Sequence, residues 1–210
     1  MSQIQNVADA VAAGKAKVVG GLVQEALDAG CDPTELLNAM IDAMGVVGER
    51  FKKNEIFVPE MLIAAKAMKK GVEVLKPHLA GDSATKYGKM IIATVAGDLH
   101  DIGKNLVAMM IESAGFEVID LGVDVSIQKF IDAVNANPDV KIVGCSALLT
   151  TTMPALKDTV AALNEAPFRK DIKIMVGGAP ITQEFADEIG ADAYTPDAAS
   201  AAQKAKELAA

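Results

Sequence analysis

Tryptophan is absent from this chain of 210 residues, and tyrosine (2) and phenylalanine (6) are scarce. The apolar share, 51%, therefore rests on aliphatic side chains and on alanine, a strong helix former. That share is enough to bury a real core, and 210 residues are long for one domain but short for two large ones. Cysteine is nearly missing. Cys31 and Cys145 lie far apart and share no metal-type spacing, which fits two reduced thiols in a cytosolic protein and not a disulfide framework. Positive charge is in deficit, with 20 basic against 28 acidic side chains and a formal charge of −8. No basic stripe or arm is present, which argues against a nucleic-acid partner. No apolar run reaches the roughly 20 residues that span a bilayer. The opening MSQIQNVADA has neither the basic nor the apolar region of a signal peptide. The expectation is a cytoplasmic protein with no membrane partner.

What is there changes in kind near residue 76. Before it, apolar residues recur at helical spacing: Leu22, Val23 and Leu27; Leu36, Leu37, Met40, Ile41, Met44 and Val47; Met61, Leu62, Ala65, Met68, Val72 and Leu75. Asp32, Pro33, Thr34 and Glu35 read as a helix start, with a cap and a proline in the first turn, and Val58, Pro59 and Glu60 as another. Residues 1–75 are expected to form a small bundle of three or four helices. Residues 76–88 mix proline, glycine, serine and charge and read as a linker. Residues 89–210 alternate short apolar runs (90–96, 116–121, 141–147, 173–176 and a weaker 191–195) with amphipathic stretches (104–114, 126–135, 154–164, 182–189 and 198–208). That alternation predicts an α/β fold, a five-stranded parallel sheet with flanking helices in the flavodoxin-like, Rossmann-like class. Such sheets bind ligands beyond the carboxyl ends of their strands. The loops that matter are then 98–103, 146–152 and 177–178.

The first of these loops lies in Gly97-Asp98-Leu99-His100-Asp101-Ile102-Gly103-Lys104-Asn105, between two apolar runs. It is not a phosphate loop. The spacing from Gly97 to Gly103 is one residue too long, Asn105 stands where a hydroxyl should hold magnesium, and Asp98 and Asp101 would repel a phosphate. No G-x-G-x-x-G follows the first strand, and the loop after strand three carries Ser146, Ala147, Leu148 and Leu149 in place of a receiver aspartate. His100 is one of two histidines. Asp98, two residues upstream, is close enough to bond one ring nitrogen and leave the other free as ligand or base. A Ser146–His100–Asp98 triad lacks the strand-to-helix elbow it needs, and no second cluster could complete a zinc site. A single histidine ligand implies a metal that brings its other ligands with it, as a macrocycle does.

The series Asp98-x-His100-x-x-Gly103, Ser146-x-Leu148 and Gly177-Gly178 resembles the signature of the methyltransferase class of cobalamin-binding domains. The likeness covers nearly the whole chain. It is similar to the cobalamin-binding module of methionine synthase and, more closely, to the small corrinoid proteins of three-component methyltransferase systems. The resemblance implies cobalamin (methylcobalamin or another corrinoid) as cofactor, held with its own base off the cobalt and His100 on it as axial ligand. Asp98 then accepts a hydrogen bond from His100, and Ser146 is the third member of that relay. Leu99, Asp101, Ile102 and Gly103 are expected beside the ring, with Leu148, Thr150, Gly177 and Gly178 along the slot for the displaced nucleotide tail. The helical bundle becomes a cap, with Phe51 and Val58 over the methyl group and Met61 and Leu62 nearby. The partners implied are a substrate:corrinoid methyltransferase, a tetrahydrofolate- or thiol-dependent methyltransferase, and an iron–sulfur reductive activase. Two other readings are a cobalamin-binding subunit of an adenosylcobalamin mutase and a cobalamin sensor or chaperone. Mutase domains lack such a cap. A light-sensing relative carries tryptophan and histidine in its bundle, and this bundle has neither.

Overall fold

A computed structural model describes residues 2–79 and 86–210. Within it the chain divides into two compact units that meet in sequence between Lys86 and Tyr87, residues 113–115 excepted.

The first unit is helical: α1 (Gln3–Ala12), α2 (Val19–Asp28), α3 (Pro33–Lys52) and α4 (Val58–Leu75). The expected cap is present at α3, where the Asp32 carboxylate accepts from the N–H groups of Thr34 at 2.8 Å and Glu35 at 3.0 Å. Those donors have no partner inside the helix, and an oxygen at this position satisfies them. Glu60 reaches back to accept from the N–H of Phe57 at 3.1 Å and so fixes the start of α4. The helical repeat gathers Leu36, Met40, Ile41, Met61, Met68 and Leu75, none more than 2% exposed, into buried positions.

After α4 a single 3-10 turn covers Lys76–His78. The rest of the linker expected over 76–88 lies partly outside the described residues, which resume at Lys86.

The second unit is the predicted α/β fold. Five parallel strands, β1 (Lys89–Thr94), β2 (Glu117–Asp120), β3 (Val140–Ser146), β4 (Lys173–Gly177) and β5 (Ala193–Tyr194), lie in the order β2-β1-β3-β4-β5. They alternate with α5 (Ile102–Ser113), α6 (Ile127–Ala136), α7 (Met153–Glu165), α8 (Gln183–Ile189) and α9 (Ala198–Ala209). This is the flavodoxin-like order, in which the order of strand addition reverses between β1 and β3. Strand parity sorts the side chains. Ile91, Ala93, Val143 and Ile174 belong to one buried cluster with Phe130 and Val134 of α6 and Leu156, Val160 and Leu163 of α7. Their neighbours one residue along, Met90, Ile92, Gly144 and Met175, face the other way and line a cavity.

Candidate functional site

The chain leaves β1 into a tight turn. Gly97 takes φ +80°, a region other residues rarely adopt, and its N–H donates to Asp124 Oδ1 at 2.8 Å. The turn drops Asp98 into the protein and lifts its neighbour out: Asp98 is 0% exposed and Leu99 72%. Thr94 Oγ1 donates to the carbonyl oxygen of His100 at 2.9 Å, which ties the far side of the loop back to the strand end.

Asp98 organises the loop cluster. Its Oδ1 accepts from the N–H of His100 at 3.0 Å and lies 2.7 Å from His100 Nδ1. Its Oδ2 accepts from the N–H of Leu148 at 2.7 Å and from the Thr152 hydroxyl at 2.8 Å. Burial alone would raise the carboxyl pKa. The donors from Leu148, His100 and Thr152 outweigh it and hold Asp98 well below its ordinary 3.8. An ionised carboxylate only accepts, so Nδ1 of His100 is the donor in this contact and Nε2 is the ring nitrogen left to meet a ligand. The imidazole is about half exposed, with 51% of its side-chain surface accessible.

The hydroxyl in this relay belongs to Thr152, where the sequence reading puts Ser146. Asp98 lies behind the loops, where Oδ2 meets the short 3-10 turn Thr150–Thr152 and the backbone of Leu148. Ser146 ends β3 and lines the cavity instead. The sequence signal that could have found Thr152 is a hydroxyl two residues before Pro154, at the mouth of α7, on a turn that must find donors and acceptors of its own.

The cavity measures about 610 Å³ and draws its lining from β1, β3 and β4, from α5 and α9, and from the loops at the strand ends. It brings together Leu99, His100, Asp101, Ile102, Gly103, Ser146, Leu148, Gly177 and Gly178. Ile102 is 85% exposed and Leu148 40%, an apolar rim around a basic nitrogen. Gly103 has open space where a side chain would begin. Gly178 is glycine for a steric reason: at φ +135° an added Cβ would collide with the carbonyl oxygen of Ala147. Thr150 is exposed on its turn and is not part of the cavity lining. In the helical unit, Val58 and Leu62 are exposed at 39% and 37%, Phe51 is half-buried, and Met61 is fully buried and presents no surface to a ligand.

Lys104 and Cys145 are among the lining residues that escaped the sequence reading. Lys104 is 3% exposed; its ammonium pairs with Asp120 and donates to Asn105 Oδ1 at 2.7 Å. Asn105 Nδ2 donates in turn to Asp101 Oδ2 at 3.1 Å, so the first turn of α5 is locked from both sides. Cys145 also lines the cavity, but burial pushes its thiol up to about 12, so it offers no thiolate to a metal.

Residues 88–204 match the family described as B12 binding domain, and residues 3–76 match a second family of the same description. The chain belongs to the B12-binding corrinoid proteins. Dimethylamine corrinoid protein 1 of Methanosarcina acetivorans is 43% identical over 208 residues, which span 98% of this chain and 96% of that protein. A cobalamin-binding protein from Desulfitobacterium hafniense superimposes with a TM-score of 0.83 at 32% identity, covering 98% of each chain. A chain of the methanol:cobalamin methyltransferase complex from Methanosarcina barkeri superimposes with a TM-score of 0.84 at 31% identity, covering 99% of this chain and 79% of that one.

The cofactor of this corrinoid protein is cobalamin or a close relative, and the residues present fit it. Among the described residues no three of His, Cys, Asp and Glu gather as a metal site. Any cobalt that His100 held would therefore have to bring its other ligands with it. The corrinoid protein offers one free imidazole nitrogen, an apolar rim and a deep cavity beside it. Among the described residues no helix is long and apolar enough to cross a membrane.

Proposed function

We propose that this corrinoid protein carries a methyl group from a methylated amine to an acceptor methyltransferase. The observation that carries the reading is the state of His100: Nδ1 is bound 2.7 Å from a fully buried, ionised Asp98, and Nε2 is left free at the cavity mouth. When bound, the corrinoid supplies a cobalt that takes up and releases a methyl group. His100 would hold that cobalt through Nε2, in place of the cofactor's own base, and the cavity would take the displaced nucleotide tail. Asp98 fixes the ring in one tautomer and orientation, and Leu148 and Thr152 fix Asp98. The Asp98 carboxylate behind Nδ1 would also raise the electron density that Nε2 offers to a metal.

The donor reading rests on the likeness to the dimethylamine corrinoid protein, at 43% identity against 31% for the methanol complex. A substrate:corrinoid methyltransferase would load the protein. A thiol- or tetrahydrofolate-dependent methyltransferase would unload it, and an iron–sulfur activase would restore it after oxidation. The test is to load the protein with cobalamin, reduce it, and supply mono-, di- or trimethylamine with the matching methyltransferase. Methylation by at least one amine system, read from the visible spectrum, is expected. Methylation by a methanol system alone would overturn the donor assignment.

A further inference from the structure

The cavity changes character with depth. At its mouth lie the polar groups of the strand ends: His100, Ser146, Tyr194 and Thr195. Its floor is a row across the sheet, because Ile92 pairs with Gly144 and Gly144 pairs with Met175 in register. Met90, two residues further down β1, folds over the gap that Gly144 leaves, and a Cβ on Gly144 would fall 2.5 Å from Met90 Cε. Val107 of α5 lines the same space. No polar side chain belongs to this floor. Two charged residues that line the cavity are already engaged. Lys104 is paired with Asp120 and Asn105. Both carboxylate oxygens of Asp197 accept from Ser200, one from its N–H at 2.8 Å and one from its hydroxyl at 2.7 Å.

From this we infer that the slot selects corrinoids by the chemistry of the lower base, accepting an apolar aromatic base of the benzimidazole or phenol type and rejecting a purine. The inference rests on the reading above, in which the displaced tail enters this cavity. A purine brings an exocyclic amine and several ring nitrogens, and each of them loses water on entry. Against Ile92, Met90, Val107 and Met175 these groups find no partner, whereas a benzimidazole or phenol ring has little to lose. The two thioethers add a pliable surface that favours the face or edge of a ring.

Three probes test this by equilibrium titration of the apoprotein, with the visible spectrum as readout: cobinamide, which has no nucleotide tail, the p-cresol cobamide and the adenine cobamide. Cresol does not coordinate cobalt and adenine does so weakly, so the comparison reads the slot and not the freeing of the base. The expected order is cresol tightest, with adenine about tenfold or more weaker, the ratio that one unpaired buried polar group produces. Met175→Gln places an amide on the floor and should narrow the ratio. The comparison of the two proteins cancels whatever the cobamides do in solution. Equal affinities for cresol and adenine, both tighter than cobinamide, overturn the selection and leave the tail-binding reading standing. Cobinamide binding as tightly as both overturns the two together. Should Met175→Gln not fold, the wild-type ratio decides alone.

Discussion

The two faces of the central sheet are built from neighbouring residues of the same strands, yet they do different work. Ile91, Ala93, Val143 and Ile174 meet Phe130, Leu156, Val160 and Leu163 in a closed core, every one of them 0% exposed. Met90, Ile92, Gly144 and Met175 sit one residue along and border about 610 Å³ of space. A side-chain period of two lets one strand serve a packed face and a binding face at once. The packed face holds the strands in place, and the strand ends then hold the loops. Stability and function are therefore separable by parity, and substitutions can test that separation.

The largest effect is expected on the closed face. Phe130→Ala should lower unfolding stability by about 3–5 kcal/mol in a urea titration, with the corrinoid affinity of the remaining folded protein unchanged. Gly178→Ala comes next and should touch both properties. Its new Cβ would meet the carbonyl oxygen of Ala147 at 1.8 Å, so the two loops must part. A loss of about 2–3 kcal/mol is expected together with weakened corrinoid binding, read by the same titration and by the cobalamin spectrum. Thr152→Val should cost about 1–2 kcal/mol, because it leaves Asp98 Oδ2 one donor short, and Thr152→Ser should restore most of it. The smallest effect concerns acid. Asp98 is held below its ordinary 3.8, so the folded state binds fewer protons than the unfolded chain in that range. The stability it contributes is present above about pH 4 and is lost as pH falls through its lower folded value. The stability gap between wild type and Asp98→Asn should therefore shrink below about pH 4. A gap that stays constant down to pH 2 would contradict the ionised Asp98.

The sheet was legible in the sequence because alternating runs and helical stretches leave few alternatives once their order is known. His100 and Asp98 were legible because two residues of separation can only be local. Thr152 was not, because its contact with Asp98 spans 54 residues and depends on how the loop after β3 folds back under the loop after β1. Ser146, the hydroxyl in the motif, ends β3 and lines the cavity instead. The floor was equally hidden. Met90, Ile92, Gly144 and Met175 look like ordinary strand residues until the register sets three of them in one row. Met61 shows the opposite limit: helical spacing marks it as apolar, but spacing alone does not separate a core position from a surface that meets a cofactor.

The central claim is that His100 Nε2 is the metal ligand, and one measurement addresses it directly. The protein is labelled with nitrogen-15 histidine, loaded with unlabelled cobalamin, brought to the Co(II) state and examined by electron paramagnetic resonance. The account predicts that nitrogen splitting on the cobalt lines changes from a triplet in unlabelled protein to a doublet in labelled protein, and that His100→Ala removes the protein contribution. A triplet that persists in labelled protein would mean that the cofactor's own base holds the metal, and the role assigned to His100, Asp98 and Thr152 would be wrong.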